Sequence, residues 1–376
     1  MTTLDFSRPA LTRARLPRFA PLTVFAVVTV VAVLFKLVFA TSTSWTPVVI
    51  LADIVGIGVV IGWSQVLEGG RAAKDRLVTG VIWSMFAVVC VPLIWIIELV
   101  VRKGGSHLTW SFLTTSMKNH SVLTAADAAK GGIAQALIGT GLITVLAAVI
   151  AVPLGLMAAI YLIEYGKGTR LARATTLFVD VMTGIPSIVA GLFAITLFRI
   201  IFGPTVQMGF TAAIALALLM TPTVVRSTEE MLRLVPNDLR EASWALGVPR
   251  WRTIVKVVIP TSIGGIVTGV MLAVARVIGE TAPLLVAVGY TASVQWKLFT
   301  PSEPMSTLPT YIINQYNSPD IVNCTLAQRQ AGQDCLATNF SEPRYWAAAL
   351  VLIIIVMVLN LVARIIGKIF APKTGR

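Results

Sequence analysis

Two charges four residues apart stand inside a run that is otherwise apolar from Ile259 almost to Tyr290. They are Arg276 and Glu280, in the stretch VARVIGETAPLL that begins at Val274. If that run crosses a bilayer, each charge near its middle costs about 2.5 to 3.5 kcal/mol on insertion scales. A spacing of four puts both on one helix face, within reach of each other. One reading is a membrane-buried ion pair that fixes helix packing. The other is a face that lines a path for an anion. An Arg fork offers donors in the geometry an oxyanion wants. A carboxylate accepts the proton of a protonated oxyanion and repels a fully deprotonated one, so the pair would discriminate between anions. Arg226, at the inner end of an earlier apolar run, is either a positively charged anchor or a further cation on that path. Asp180 lies four residues before Gly184 and six before Pro186. An interrupted helix there either frees backbone groups to line a cavity or merely kinks.

A second kind of chemistry, recognition of a partner, is written between Arg226 and Pro260, RSTEEMLRLVPNDLREASWALGVPRWRTIVKVVIP. Ser227 or Thr228 suits the cap of a short helix with Glu229 and Glu230 in its first turn. Pro236 breaks the chain, Asn237 or Asp238 caps the next helix, Leu239 to Leu246, and Gly247 ends it. Leu239, Ala242, Ala245 and Leu246 fall toward one side, with Arg240 and Glu241 at the start. A short amphipathic helix held under a membrane domain is suited to a groove on a partner.

The elements that must position these residues follow from composition. Hydrophobic residues make up 56% of the 376-residue chain and charged ones 12%, against about 25% charged in soluble domains. The chain therefore reads as a polytopic membrane protein. Eight largely apolar runs are long enough for helices across a core about 30 Å thick: 21–40, 46–66, 77–101, 134–163, 176–202, 209–225, 262–290 and 346–366. With both termini inside, twenty of the 30 Lys and Arg residues fall in cytoplasmic segments and eight in outer ones, the asymmetry that sets orientation. That asymmetry accounts for the net charge of +13 without nucleic acid. It also places 226–260 inside and 291–344 outside. Arg8, Arg13, Arg15 and Arg18 before the first run suggest an uncleaved signal anchor. The outer loop, with Trp296, Tyr311, Tyr316 and Trp346 at the interface, reads as an irregular cap or docking surface. Cys324 and Cys335 would form a disulfide there if that side is oxidising, whereas Cys90 lies in an apolar run. His107 and His120 are isolated, so no metal site is expected. Neither Gly166-Lys167 nor Gly367-Lys368 is followed by Ser or Thr, so a phosphate-cradling Walker A loop is missing and the chain is not expected to hydrolyse ATP by that route.

The spacing Glu241-Ala242-Ser243, three residues, Gly247, nine residues, Val257, one residue, Ile259-Pro260 resembles the EAA loop of ABC importer permeases. Ser243, Val257 and Ile259 are its small departures. GETAPLL from Gly279, GIPSIV from Gly184, VVRSTEEML from Val224 and PLGLMAAIYLIEY from Pro153 are similar to the phosphate-specific importer permeases. Ala282-Pro283 resembles their PstA-type subunit more than its PstC-type partner. The resemblance covers about residues 77 to 370 and leaves out 1 to 70, where Lys36 and Asp53 lie. It implies an all-α membrane protein, a helical bundle with a MetI-like permease core of about six spans and two extra spans at the N-terminus. The domains implied are 1–70, a permease domain 71–370 with coupling loop 226–260 and outer loop 291–344, and a tail 371–376. Also implied are a homologous PstC-type permease, a PstB-type ATPase dimer and an outside PstS-type phosphate-binding protein. ATP and Mg would belong to the ATPase, with no cofactor in this chain. Beside Arg276 and Glu280, the resemblance favours Arg226 as a further cation on the phosphate path, and it assigns ATPase coupling to Glu241, Ala242, Ser243, Gly247 and Pro260. Three alternatives stand beside it. A sulfate or molybdate permease would tolerate Glu280→Gln. An ion-coupled transporter would use Asp53, Arg276 and Glu280 as a proton relay, and a non-transporting sensor would use the extra helices.

Overall fold

The computed structural model describes residues 16–17, 19–39, 45–120, 131–318, 321–322 and 338–370. Cys324 and Cys335 lie outside the described residues. The chain is an all-α membrane protein, and it divides into two compact units, Met1–Glu98 and Leu99–Arg376.

The first unit contains α1 (Ala20–Phe39), α2 (Trp45–Leu67) and most of α3 (Gly70–Gly105), which runs across the division. α1 packs on α2 where Gly56 leaves room for the Phe25 ring, 2.8 Å from where a Cβ would stand. The turn into α3 uses Gly69 at φ +94, a conformation glycine adopts without strain. Beside it the Glu68 carboxylate accepts the Leu16 N–H and the Ser64 hydroxyl, both at 2.8 Å, and an Arg76 N–H at 3.2 Å. The Ser64 and Leu16 bonds hold this carboxyl below the usual carboxylate range; burial opposes them and Arg76 adds to them. Asp53 accepts the Ser84 hydroxyl at 2.9 Å across α2 and α3.

The second unit runs α4 (Trp110–Thr114), α5 (Ala134–Ile160), a π-helical turn (Tyr161–Tyr165), α6 (Arg170–Thr183), α7 (Ser187–Phe202) and α8 (Gly209–Arg233). It continues through α9 (Asn237–Ala245), α10 (Arg250–Thr253), a second π-helical turn (Ile254–Val258), α11 (Ile259–Ile278), α12 (Ala282–Ala287), α13 (Leu308–Asn317) and α14 (Ser341–Phe370). Two short strands, β1 (Ile321–Val322) and β2 (Thr338–Asn339), pair antiparallel before α14. α8 is the central helix, with 61% of its apolar window buried against 33% for α5 with its π-turn and 17% for α14. Its Ala212, Ala213 and Ala217 meet Ala147 and Ala151 of α5 and Ala273 of α11 in one core. Small side chains do this in membranes because close backbone approach supplies the packing that the hydrophobic effect does not. A second cluster joins Phe112, Ile133, Leu308 and Tyr311 to Ala347 and Ala348 of α14. The Thr140 hydroxyl accepts the Leu308 N–H at 2.8 Å and anchors the 291–307 segment. That segment is irregular. It then turns helical at Leu308 behind a Thr307–Thr310 capping box.

Among the described residues six helices are long and apolar enough to cross a membrane, or seven if one bent pair counts as a span. α1 adds a shorter apolar helix, Thr23–Leu37. Three boundaries differ from those expected. The 176–202 run is two helices, α6 and α7, bent by 106°. Pro186 has no N–H for the Met182 carbonyl and disfavours a helical Ile185, so the chain breaks at Gly184–Pro186. The run expected to stop at 225 continues to Arg233. Ser227 caps nothing; its hydroxyl donates to the Val224 carbonyl at 3.2 Å inside the helix, and no Gly or Pro intervenes before Pro236. Third, the 262–290 run is not one span, for the rod that begins at Arg250 ends at Ile278. Gly279 caps it, and Pro283 cannot donate to the Gly279 carbonyl.

α7 and α12 touch at Gly191, where a Cβ would stand 2.5 Å from the Pro283 Cα. Backbone cannot yield as a side-chain tip can. Gly191→Ala is therefore expected to cost about 1 to 3 kcal/mol as overpacking. Thermal melting of the detergent-purified protein checks it, and an unchanged midpoint contradicts it.

Candidate functional site

The two helix breaks meet. A cavity of about 210 Å³ is lined by Thr183 at the end of α6, Ser187 at the start of α7, Thr223 on α8, and Arg276 and Glu280. At about 30 Å³ per water, it has room for a small ion with part of its hydration shell. Ser187 opens a helix with no side-chain cap, so the free amides and positive dipole end of α7 face anionic ligands favourably. Arg276 stands in the last turn of α11, whereas Glu280 lies beyond its Gly279 cap. The two are therefore not on one helix face, as their spacing suggests. They converge because the chain turns between them. Among the described residues neither takes part in an ion pair. Arg276 is exposed and Glu280 partly so. The arrangement presents one guanidinium, one carboxylate and three hydroxyls to a small cavity, which suits a protonated oxyanion.

Arg226 does not line that cavity. It bridges α6 and α8, donating to Glu229 at 2.7 Å and to Asp180. Glu229 is buried, so α8 carries its own partner for this cation. Asp180, one turn before Thr183, ties the broken helix to the central one.

The 226–260 loop is held in a defined pose. Pro236 precedes α9 as its N-cap, without the side-chain cap expected from Asn237 or Asp238. The helix ends in a Schellman arrangement. Gly247 sits at φ +75, its N–H bonds the Trp244 carbonyl at 2.9 Å, and the Val248 N–H bonds that of Ser243 at 3.2 Å. A β-branched residue at Gly247 would be strained there. Ser243 is buried and shares a hydrogen bond of 2.8 Å with the Thr253 hydroxyl of α10. A reason for the departure from Ala in the EAA pattern lies in that bond. Glu241 and Ala242 are exposed, as is Pro260 at the start of α11. Leu239, Trp244 and Leu246 are exposed as well, Leu246 by 83%.

Sequence reasoning missed the residue that locks this loop. Arg240 is buried, and its guanidinium reaches Glu164 in the first π-turn at 2.9 and 3.1 Å. A signal was available: a cation in the first turn of α9 opposes the helix dipole and calls for a nearby acceptor. Which acceptor, 76 residues away, no local pattern could say.

Residues 151–376 match the family described as the inner membrane component of binding-protein-dependent transport systems. The "Phosphate transport system permease protein PstA 1" of Mycobacterium tuberculosis H37Rv is 44% identical over 297 residues, covering 79% of this chain and 88% of that one. The PstA protein of Yersinia pestis is 38% identical over 306 residues, covering 81% and 93%. The "Probable ABC transporter permease protein YqgI" of Bacillus subtilis is 32% identical over 316 residues, covering 81% and 98%.

Proposed function

We infer a mechanism from one premise: this chain belongs to the family of binding-protein-dependent transport permeases, and it is a phosphate permease of the PstA type. It is the membrane-spanning component of an ABC importer, so hydrolysis of ATP is work for a separate subunit. We propose that the cavity between Thr183, Ser187, Thr223, Arg276 and Glu280 is the point at which phosphate crosses. The observation that carries this is an Arg and a Glu facing one small cavity with no ion-pair partner among the described residues.

Phosphate reaches the cavity as HPO4 2− or H2PO4 −. Arg276 donates to its oxygens in a forked geometry. Glu280 accepts the proton that the ion still carries, which fully deprotonated sulfate lacks. The α7 amides complete a weak shell, so the ion is held and then released, as conduction requires. Arg226, balanced by Asp180 and Glu229, would act from the side by holding α6 on α8. If those bonds open during the cycle, the break between α6 and α7 becomes a gate.

The proposed assembly pairs this chain with a homologous PstC-type permease, a PstB-type ATPase dimer that uses ATP and Mg, and a PstS-type binding protein. Both termini and the 226–260 loop are cytoplasmic in this reading. The exposed Leu239, Ala242, Trp244 and Leu246, with Glu241 beside them, then fill a groove on the ATPase. Gly247 keeps the helix end turned out of the way, and Pro260 lies in the first turn of α11, whose last turn holds Arg276. ATP binding would move α9, and the cavity would turn alternately outward and inward.

Two experiments test this reading. A hydrogen bond to a charged group is worth about 1.5 to 3 kcal/mol, and about 1.4 kcal/mol is tenfold. Phosphate uptake in permease-null cells is accordingly expected to fall about tenfold or more in both Arg276→Gln and Glu280→Gln, at unchanged complex assembly. Normal uptake in either removes that residue from the path. Separately, Leu246→Asp, at a position the fold leaves exposed, is expected to cut co-purified ATPase about tenfold. Undiminished ATPase would place the docking surface elsewhere.

A further inference from the structure

We propose that the buried Arg240–Glu164 ion pair is the link through which displacement of α9 reaches α5, which makes Glu164 a positioning residue of the transport cycle. This rests on the ATP-driven reading above. A buried guanidinium is costly unless its donors are met, and here all five are. Nε donates to Glu164 at 3.1 Å and Nη2 to the same carboxylate at 2.9 Å. The second Nη2 hydrogen goes to the Leu232 carbonyl at 2.9 Å. Nη1 donates to the Val235 carbonyl at 2.6 Å and to Asn237 Oδ1 at 3.2 Å. Leu232 and Val235 lie at the end of α8, where carbonyls lack helical partners. One side chain therefore ties the end of α8, the start of α9 and the π-turn after α5. Both side chains of the ion pair are only 7% exposed.

Among the described residues, α9 side chains hydrogen-bond outside their own helix at two places only, Arg240 and Ser243. The Ser243–Thr253 bond is a single contact between two hydroxyls, and it leads to α10 and the rod ending at Ile278, the last turn of which holds Arg276. The Arg240 connection is a charged one, and it leads to α5. Glu164 occupies a π-turn, closed by the Gly166 N–H on the Tyr161 carbonyl at 2.6 Å. Such wider turns recur at functional positions in helices. From that turn α5 runs as one helix to Ala134, with Pro153 inside it. It is pressed against α8 at Gly155, where a Cβ would stand 2.7 Å from Val224. A push on α9 thus reaches α5 through Glu164 and α11 through Thr253, the helices on either side of α8. The pair would convert a docking helix into a part that cannot move without the membrane helices.

The test uses the complete complex in vesicles, with wild type, Glu164→Gln and Glu164→Asp. The readouts are assembly, basal ATP hydrolysis, its stimulation by phosphate-loaded binding protein, and phosphate transported per ATP. Glu164→Gln keeps the volume and an acceptor oxygen but removes the charge. It is expected to assemble and hydrolyse ATP at the basal rate, while stimulation and phosphate per ATP fall at least tenfold. Glu164→Asp, which keeps the charge, recovers part of the coupling. Normal coupling in assembled Glu164→Gln complexes overturns the proposal. So does loss of complex alone, with each remaining complex fully coupled, because that marks a purely structural pair. Should Glu164→Gln fail to assemble, Glu164→Asp decides: reduced phosphate per ATP supports the link and normal coupling overturns it. A wild-type complex without stimulation would overturn the ATP-driven reading, and the link with it.

Discussion

Inside a bilayer no water satisfies an interrupted backbone, so a spanning helix can break only where protein or a water-filled cavity receives the freed groups. That constraint organises the second unit. The chain breaks after Thr183 and again after Ile278, at Pro186 and Gly279 with Pro283. Both breaks open onto the same cavity, which Ser187 at the start of α7, Arg276 and Glu280 line. Were α6 and α7 one straight helix, Ser187 would be an ordinary interior residue and its amide would be spent on the helix ladder. The close contact of Gly191 with Pro283 then keeps the two broken helices in register.

Charge is treated differently in two places. Arg226 and Arg240 are each surrounded by acceptors, two carboxylates for the first and a carboxylate with three further oxygens for the second. Groups so fully engaged hold elements together. Arg276 faces a cavity and ends no such network. A cation that meets a passing ion, as proposed for Arg276, has to keep its donors available, at a cost in folding free energy.

The spans and the helix between Pro236 and Gly247 were largely legible because their signals are local. Apolar runs of about 20 residues mark helices in lipid, and Pro236 with Gly247 bounds α9. Asp180, Gly184 and Pro186 marked the break, though not its angle, which depends on what the freed ends pack against. The convergence of Arg276 and Glu280 was expected for the wrong geometric reason. Their spacing implied one helix face, whereas Gly279 ends the helix between them and the turn brings them together. Continuation of α8 to Arg233 was hidden by Ser227, Thr228 and Glu229. These resemble a helix start yet lie mid-helix, where Glu229 serves Arg226. The Arg240–Glu164 pair was out of reach, since it joins residues whose proximity only the fold creates.

The central claim is that the space between the two breaks is a water-filled passage for phosphate. Cysteine accessibility measures it most directly. In a chain whose native cysteines are replaced by Ser, Thr223→Cys in the assembled complex is exposed to a charged, membrane-impermeant thiol reagent during turnover. Ile201→Cys on α7, 61% exposed on an apolar stretch, is the comparison facing lipid. The account predicts that Thr223→Cys reacts, that phosphate slows the reaction, and that Ile201→Cys stays unmodified. A Thr223→Cys as inert as Ile201→Cys would contradict it.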